Sequence, residues 1–532
     1  MTSRRSFLNM LSGSLAGAAA GTANILQPLA MPGILGLTGI AGLSASQLAE
    51  AAADPARPIV IAFPSDVPTW DPVARVAPIP ISLYRSVFDT AIDIDENGKL
   101  VPAVVSAWRW KDTEGKVLEL DLRDDVMFHN GDMLTSDDFK FTYFDRLKAD
   151  KTLQIGGIWW ALEGIDTPTP TRAVMHFKAP MVTAPAFLAY LGGYLMPRKY
   201  FEKVGRDGFI AKPIGSGPYT LASYQANSHI TLKRFDKHWR GQPQIQNVVF
   251  QVVVDATSRV SAIQGGQVDV ASGLPLRDTL RFNQVSGLQS KVTPTIDTYL
   301  IHMVNSGPTA DKNVRLAMHH AINKAGLIRA FFNNVPAAMN TPAAPGTPAY
   351  NPDFAFAYDQ TTARALLAAS GYSQAKPVRI KFFSANGAAP SDYDMARAIV
   401  QMWKEVGIEA EHTVIEPAQF YSQSAAGTLQ GPMLWLWQNG SGDPALSEGS
   451  YLNPKLGFSV WRSADVSVHL DPLLLELDPA KRIAGYKAFD QWVVEQGYSL
   501  PLMQGIATAA YKKEIAYKPF KSGWVLPDYW KA

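Results

Sequence analysis

The sequence predicts an α/β protein divided into two or three lobes, and three observations carry that prediction. Its 532 residues are far more than one hydrophobic core serves. Apolar residues make up 47% and charged residues 18%, the balance of a globular chain rather than a disordered or fibrous one. Between Val378 and Ile415 a strand, a helix and a second strand follow at the spacing of a βαβ unit, which requires parallel pairing.

Composition also excludes. The chain has no cysteine, so disulfides, thiolate metal sites, thiol catalysis and a lipid-modified N-terminal cysteine all fall away. A net charge of +2 disfavours nucleic acid or an anionic membrane as partner. At the N-terminus "SRRSFLN" sets Arg4 and Arg5 directly before Phe7 and Leu8, and an Ala/Gly/Leu run follows, ending in "AEAAADP". This arrangement resembles a twin-arginine export signal over residues 1–53, cut after Ala51 or Ala53. It predicts a periplasmic mature protein without a lipid anchor. Pro28, Pro32 and the glycines between Gly13 and Gly42 argue against a membrane-spanning helix.

The elements follow in order. Ile59, Ile61 and Phe63 alternate as in a strand, and a Pro/Asp-rich loop comes after them. Residues 108–122 read as a hairpin turning at "DTEG". Asn130-Gly131 is a turn, and Thr135 with Asp138 opens a helix carrying Phe139, Tyr143 and Leu147. Residues 247–273 give a buried strand, a short helix closed by Gly265, and a strand around Val268 and Val270. A helix starts at Asp311 and repeats Val314, Met318 and Ile322 down one side; another stops at Gly371. The four prolines of residues 340–352 predict an ordered surface loop. Val378, Ile380 and Phe382 mark the next strand. Ser391 is expected to cap a helix ending at Gly407, before a strand over residues 408–415. Residues 433–437 are expected to join the same sheet.

Several of these segments, in order, resemble solute-binding protein family 5, the peptide/nickel/opine-type proteins that deliver ligands to ABC transporters. They are "FHNGDMLTSDDFKFTY" (128–143), "GSGPYTL" (215–221), "LKRFDKHWRG" (232–241), "VRLAMHHAIN" (314–323) and "ALLAASGY" (365–372). The likeness covers nearly the whole chain after the export segment. It implies an α/β, two-lobed periplasmic-binding-protein clamshell. One lobe would hold residues 54–294 and 498–532, with an extra subdomain at about 96–210; the other would hold 295–497. Hinges would lie near 292–298 and 498–504. The implied partners are a small solute or short peptide and the ABC permease and ATPase at the membrane, with the binding protein a monomer.

Catalytic motifs are missing: no G-x-S-x-G, H-E-x-x-H or G-x-x-x-x-G-K-[ST] occurs. Gly215–Gly217 reads as a tight turn, not a phosphate loop. His319 and His320 are adjacent and point about 100° apart on a helix, so they suit packing or surface better than one metal. No cofactor and no protein-held metal is expected. Trp108 and Trp110 suit packing under the hairpin, and one of Trp159 and Trp160 is a candidate for the cleft.

The candidate ligand site lies in "LWLWQNGSGDPALSEG" (434–449), at the carboxyl end of a parallel strand. Trp435 and Trp437 offer flat apolar faces; Gln438, Asn439 and Ser441 offer donors and acceptors. Ser65 and Trp70 follow the first strand, where the resemblance implies a border of the cleft. Peptide binders of the family hold the ligand's ammonium with a carboxylate three residues before the Asp-Pro acid. Here that step is Asp443-Pro444 and the position is Gly440. Either another acid substitutes, with Asp443 itself a candidate, or the ligand is an opine, sugar conjugate or metal chelate rather than a free peptide. The second reading is favoured. A peptide binder and a secreted hydrolase on the same scaffold stand as alternatives.

Overall fold

The computed structural model describes residues 57–75, 80–456 and 459–531; the export segment expected at 1–53 lies outside them. Among the described residues sixteen strands are formed. In chain order they are β1 (Ile59–Phe63), β2 (Ile92–Ile94), β3 (Leu100–Pro102), β4 (Val105–Trp110), β5 (Val117–Leu122), β6 (Leu162–Thr169), β7 (Arg172–Phe177) and β8 (Tyr219–Gln225). The rest are β9 (His229–Arg234), β10 (Asn247–Val252), β11 (Val270–Ser272), β12 (Leu288–His302), β13 (Val378–Ser384), β14 (Ile408–Val414), β15 (Met433–Trp437) and β16 (Ser499–Lys512).

One sheet of ten strands runs in the order β14-β13-β15-β12-β16-β11-β1-β10-β9-β8. Its spine is the long antiparallel pair of β12 and β16, 15 and 14 residues. Parallel clusters flank it: β1 with β10 and β11 on one side, β13 with β14 and β15 on the other. Each side has its own core. One draws on residues 59–270 and 509–530, including Trp70, Phe88, Phe139 and Phe250. The other draws on residues 299–506, including Tyr299, Phe382, Trp403 and Tyr486. Two cores bridged by two strands make the two-lobed form. The expected boundary at 294/295 falls inside β12.

Local sequence explains most elements. In β13, Val378, Ile380 and Phe382 are buried while Arg379 and Lys381 are exposed, the period of a strand with one face inward. β13 and β14 pair in parallel around the helix Asp392–Lys404, which buries Met395, Ile399 and Trp403. β4 and β5 form the hairpin, with Trp108 opposite Leu120 and Trp110 opposite Leu118. With β7 and β6 they make a separate four-stranded sheet. The Thr135 N–H donates to the Asp138 carboxylate at 2.9 Å, the reciprocal bond of a capping box. Gly217 packs on Val87, where a Cβ would lie 2.6 Å from the Val87 carbonyl carbon, so the Gly-Ser-Gly turn serves close backbone approach. His319 is buried and stacks on Phe356 at 3.8 Å, while half-buried His320 also stacks on that ring at 4.3 Å.

Three expectations need correction. The helix from Asp311 is two helices, Lys312–His320 and Lys324–Phe332. Asn323 leaves helical geometry, and its side chain accepts from the Gly326 N–H at 2.8 Å, capping the second helix. Val314, Met318 and Ile322 are all buried, so the apolar spacing continues across a break it does not reveal. Ser391 occupies the cap position at φ +58° but makes no capping bond. Asp392 instead accepts from Gly387 N–H at 2.9 Å and Ala389 N–H at 3.1 Å. Finally, the Pro-rich segment is largely internal: Thr341, Ala343, Ala344 and Ala349 are buried. Its prolines lack N–H donors, and Ala343 N–H donates to Asp490 at 3.1 Å, so little backbone polarity goes unmet.

Candidate functional site

The site is built on an irregularity in the spine. Pro294 pairs with Ile506 and Thr298 with Gln504, so Thr295, Ile296 and Asp297 of β12 stand opposite Gly505 alone. A Cβ at Gly505 would come 2.7 Å from Thr295 Oγ1, so the bulge closes only over glycine. The bulge brings the Asp297 carboxylate to the loop that follows β15. It accepts from the Asn439 N–H at 3.0 Å and from the Thr295 hydroxyl at 3.2 Å. Asp297 is only 9% exposed. Loss of hydration pushes its pKa up to about 7, against the two hydrogen bonds that favour the anion.

The loop itself is tightly ordered. The Ser441 hydroxyl donates to the Asn439 side-chain oxygen at 3.0 Å, and Asp443 N–H donates to Ser441 Oγ at 3.2 Å. Asp443 caps the turn Pro444–Leu446 by accepting from Ala445 N–H at 2.9 Å. Both its oxygens also receive the Arg482 guanidinium, at 2.7 and 3.0 Å. From the other lobe, Tyr190 and Trp524 stack at 6.2 Å and 17° and cover Gly440. A Cβ at Gly440 would stand 2.4 Å from the Tyr190 ring and 3.0 Å from Trp524. Gly442, at φ +68°, lies equally close to the Gly98 carbonyl, 3.0 Å from where its Cβ would be.

The structure gathers the predicted residues of the β15 end but gives them unequal roles. Trp435 is half-buried beside Phe420 and Tyr421, at 4.9 and 5.7 Å. Trp437 is half-buried beside Tyr451 at 5.2 Å and His302 at 5.8 Å, and its indole N–H donates to Leu446 at 3.3 Å. Gln438 is exposed, whereas Asn439, Gly440 and Ser441 are buried in the loop's own bonding. Asp443 is committed to Arg482 and the cap, which makes it a brace for the loop. Ser65 is half-buried at the end of β1. Trp70 is 1% exposed, and its ring contacts are with Tyr84 and Tyr224, inside the first core. Trp159 is buried and Trp160 is 60% exposed.

Asp297, Tyr190, Tyr421 and Trp524 were not anticipated. A proline inside a strand, Pro294, is the one sequence signal that could have flagged the bulge at Asp297. Among the described residues no three His, Asp or Glu side chains gather to hold a metal. The arrangement brings together aromatic faces, neutral amides and hydroxyls, and one buried carboxylate.

Comparison with known proteins agrees. Residues 99–455, more than half the chain, match the description "Bacterial extracellular solute-binding proteins, family 5 Middle". The chain is similar to the dipeptide-binding protein of Escherichia coli K12, 26% identical over 478 residues, covering 82% of this chain and 86% of that one. It is also similar to the glutathione-binding protein of the same strain, 23% identical over 508 residues, covering 91% and 95%. In fold it resembles NikA from Brucella suis in complex with Fe(III)-EDTA, with a TM-score of 0.78, 20% identity and coverage of 89% and 99%. With its two cores and the strands that bridge them, this chain belongs to family 5 of the bacterial extracellular solute-binding proteins.

Proposed function

We propose that this chain captures a small solute in the seam between Tyr190–Trp524 and the loop 438–443, closing about β12 and β16, and presents it to the permease as a monomer without turning it over. The lobes are residues 54–294 with 498–532, and 295–497, and the twin-arginine signal at 1–53 carries the folded chain to the periplasm without a lipid anchor. Trp435, Trp437 and Gln438 are the wall that meets the solute; Asn439, Gly440, Ser441 and Asp443 shape it, with Ser65 across the cleft. The ligand is an opine, a sugar conjugate or a metal chelate rather than a free peptide. One observation carries this reading: the position where a peptide binder would place its carboxylate is Gly440, and the Tyr190 ring fills the space a side chain there would need.

Native mass spectrometry of protein purified without refolding tests it. A non-peptide solute should co-purify, and Trp437→Ala should weaken its binding roughly tenfold, the worth of one aromatic face. Unchanged affinity would remove Trp437 from the site, and chemical conversion of the bound solute would overturn the non-enzymatic reading. A second reading, capture of a short peptide, is favoured by the similarity to a dipeptide-binding protein. Tight binding of di- to pentapeptides, with none for opines, glycans and chelates, would establish it instead.

A further inference from the structure

We propose that Asp297 is the anchor for a protonated amine on the captured solute, an inference that rests on the solute-binding reading above. Position 440 brings no carboxylate of its own, and a buried acid beside it comes from the hinge strand, so among the solutes proposed above the inference selects those that carry an amine. Asp297 is bonded to the N–H of Asn439, the residue immediately before Gly440, so its charge reaches the place the loop cannot serve. Tyr190, which fills the space beside Gly440, lies close enough for Asp297 to oppose ionisation of its hydroxyl.

The charge on Asp297 has no cationic partner. Four other buried or half-buried aspartates in this protein do. Asp71 pairs with Arg146 at 2.6 Å, Asp93 with Arg240 at 2.6 Å, Asp269 with Lys512 at 2.7 Å and Asp443 with Arg482 at 2.7 Å. Among the described residues no Lys, Arg or His forms an ion pair with Asp297; its partners are two neutral donors. Asp138 and Asp392 are also buried without an ion pair, but each accepts three hydrogen bonds. Glu448 and Asp490 sit beside each other, with Arg482 near Glu448, so a shared proton can relieve them. Asp297 has no such neighbour. A carboxylate offers about four acceptor sites, and only two are taken. An ammonium arriving in the seam would find an anion already stripped of water, with the Tyr190 and Trp524 rings beside it to favour positive charge. Burial raises the proton affinity of Asp297, and a bound cation would lower it again.

The test compares charged and neutralised forms of the same probes by calorimetry at pH 7. The probes are N-(1-carboxyethyl)arginine, di- to pentapeptides, and the N-acetylated form of each. A neutral oligosaccharide and Ni–EDTA carry no free amine and complete the set. At least one free amine should bind the native protein, and acetylation should weaken it by about a hundredfold or more. Asp297→Asn, checked for native circular dichroism, should show a similar loss and no longer distinguish free from acetylated probe. The acetylation comparison needs no variant, so it decides the matter even if Asp297→Asn fails to fold. Equal binding of free and acetylated probes overturns the anchor. Binding of the oligosaccharide or the chelate alone also overturns it while leaving solute capture standing. If no probe binds and no solute co-purifies, both readings fall.

Discussion

Gly440 looked like an absence and is a contact. A missing side chain in a ligand loop suggests room for the ligand, yet here the room belongs to Tyr190 of the other lobe. The position therefore reports on closure. Gly440→Ala would push a methyl to 2.4 Å from the Tyr190 ring, and overpacking of this kind costs about 1–3 kcal/mol. We expect that variant to favour the open form, with a larger radius of gyration in small-angle scattering and a weaker solute affinity. An unchanged radius and affinity would mean that the Tyr190 contact is not part of closure. Asp443 shows the complementary lesson. Its acid stands in the sequence where a ligand partner is sought, but a bidentate guanidinium and a capped turn already use it.

The elements were legible where one face is buried and one is not. β13, the hairpin of β4 and β5, and the helix Asp392–Lys404 all follow the apolar period of their sequence. The failures have a shared cause, since periodicity records which residues are inward and not whether the backbone between them is continuous. The break at Ala321–Asn323 keeps its apolar face while its hydrogen bonds change direction. Asn323→Ala should remove the cap on Lys324–Phe332 and cost about 0.5–2 kcal/mol, read as a lower midpoint in urea unfolding. No change in midpoint would mean that packing of Leu327 and Ile328, not the cap, starts the helix. The bulge at Thr295–Asp297 escaped notice for the same reason. Three residues opposite one glycine leave no trace in alternation, and only pairing across some two hundred residues exposes it.

The stability of the whole molecule carries a pH signature from buried acids. Glu448 is fully buried beside Asp490, Asp443, Arg482, Tyr486 and Tyr451, and loss of hydration pushes its pKa from 4.5 up to about 8. Asp490 moves in the same direction, from burial and from the Glu448 charge. An acid whose affinity for protons rises on folding stabilises the fold most below its unfolded pKa. That contribution is lost as pH climbs toward the folded value. Stability should therefore fall between pH 4.5 and about 8, with Asp297 adding to the fall below about 7. Glu448→Gln should flatten the dependence and unfold at a higher temperature than the native protein at pH 8. Parallel curves for the two proteins would show that Glu448 does not titrate in that range. Solute binding should add to this background. A ligand at 100 times its Kd contributes about 2.7 kcal/mol, which for a chain of this length moves the melting point only a few degrees.

Composition, the apolar periods and a run of ordered motifs were enough to establish the α/β class, most strands and the family. These are properties of contiguous residues, and contiguous residues are what a sequence displays. The site is different. Asp297 meets Asn439 across 142 positions, and Tyr190 and Trp524 reach Gly440 from segments on either side of the loop in sequence. Trp70, marked as a cleft residue by its neighbourhood, lies in a core. Which carboxylate is braced by arginine and which meets only neutral donors depends on where β12 slips against β16. That slip is a matter of packing between distant strands, and it has no local energy for the sequence to advertise.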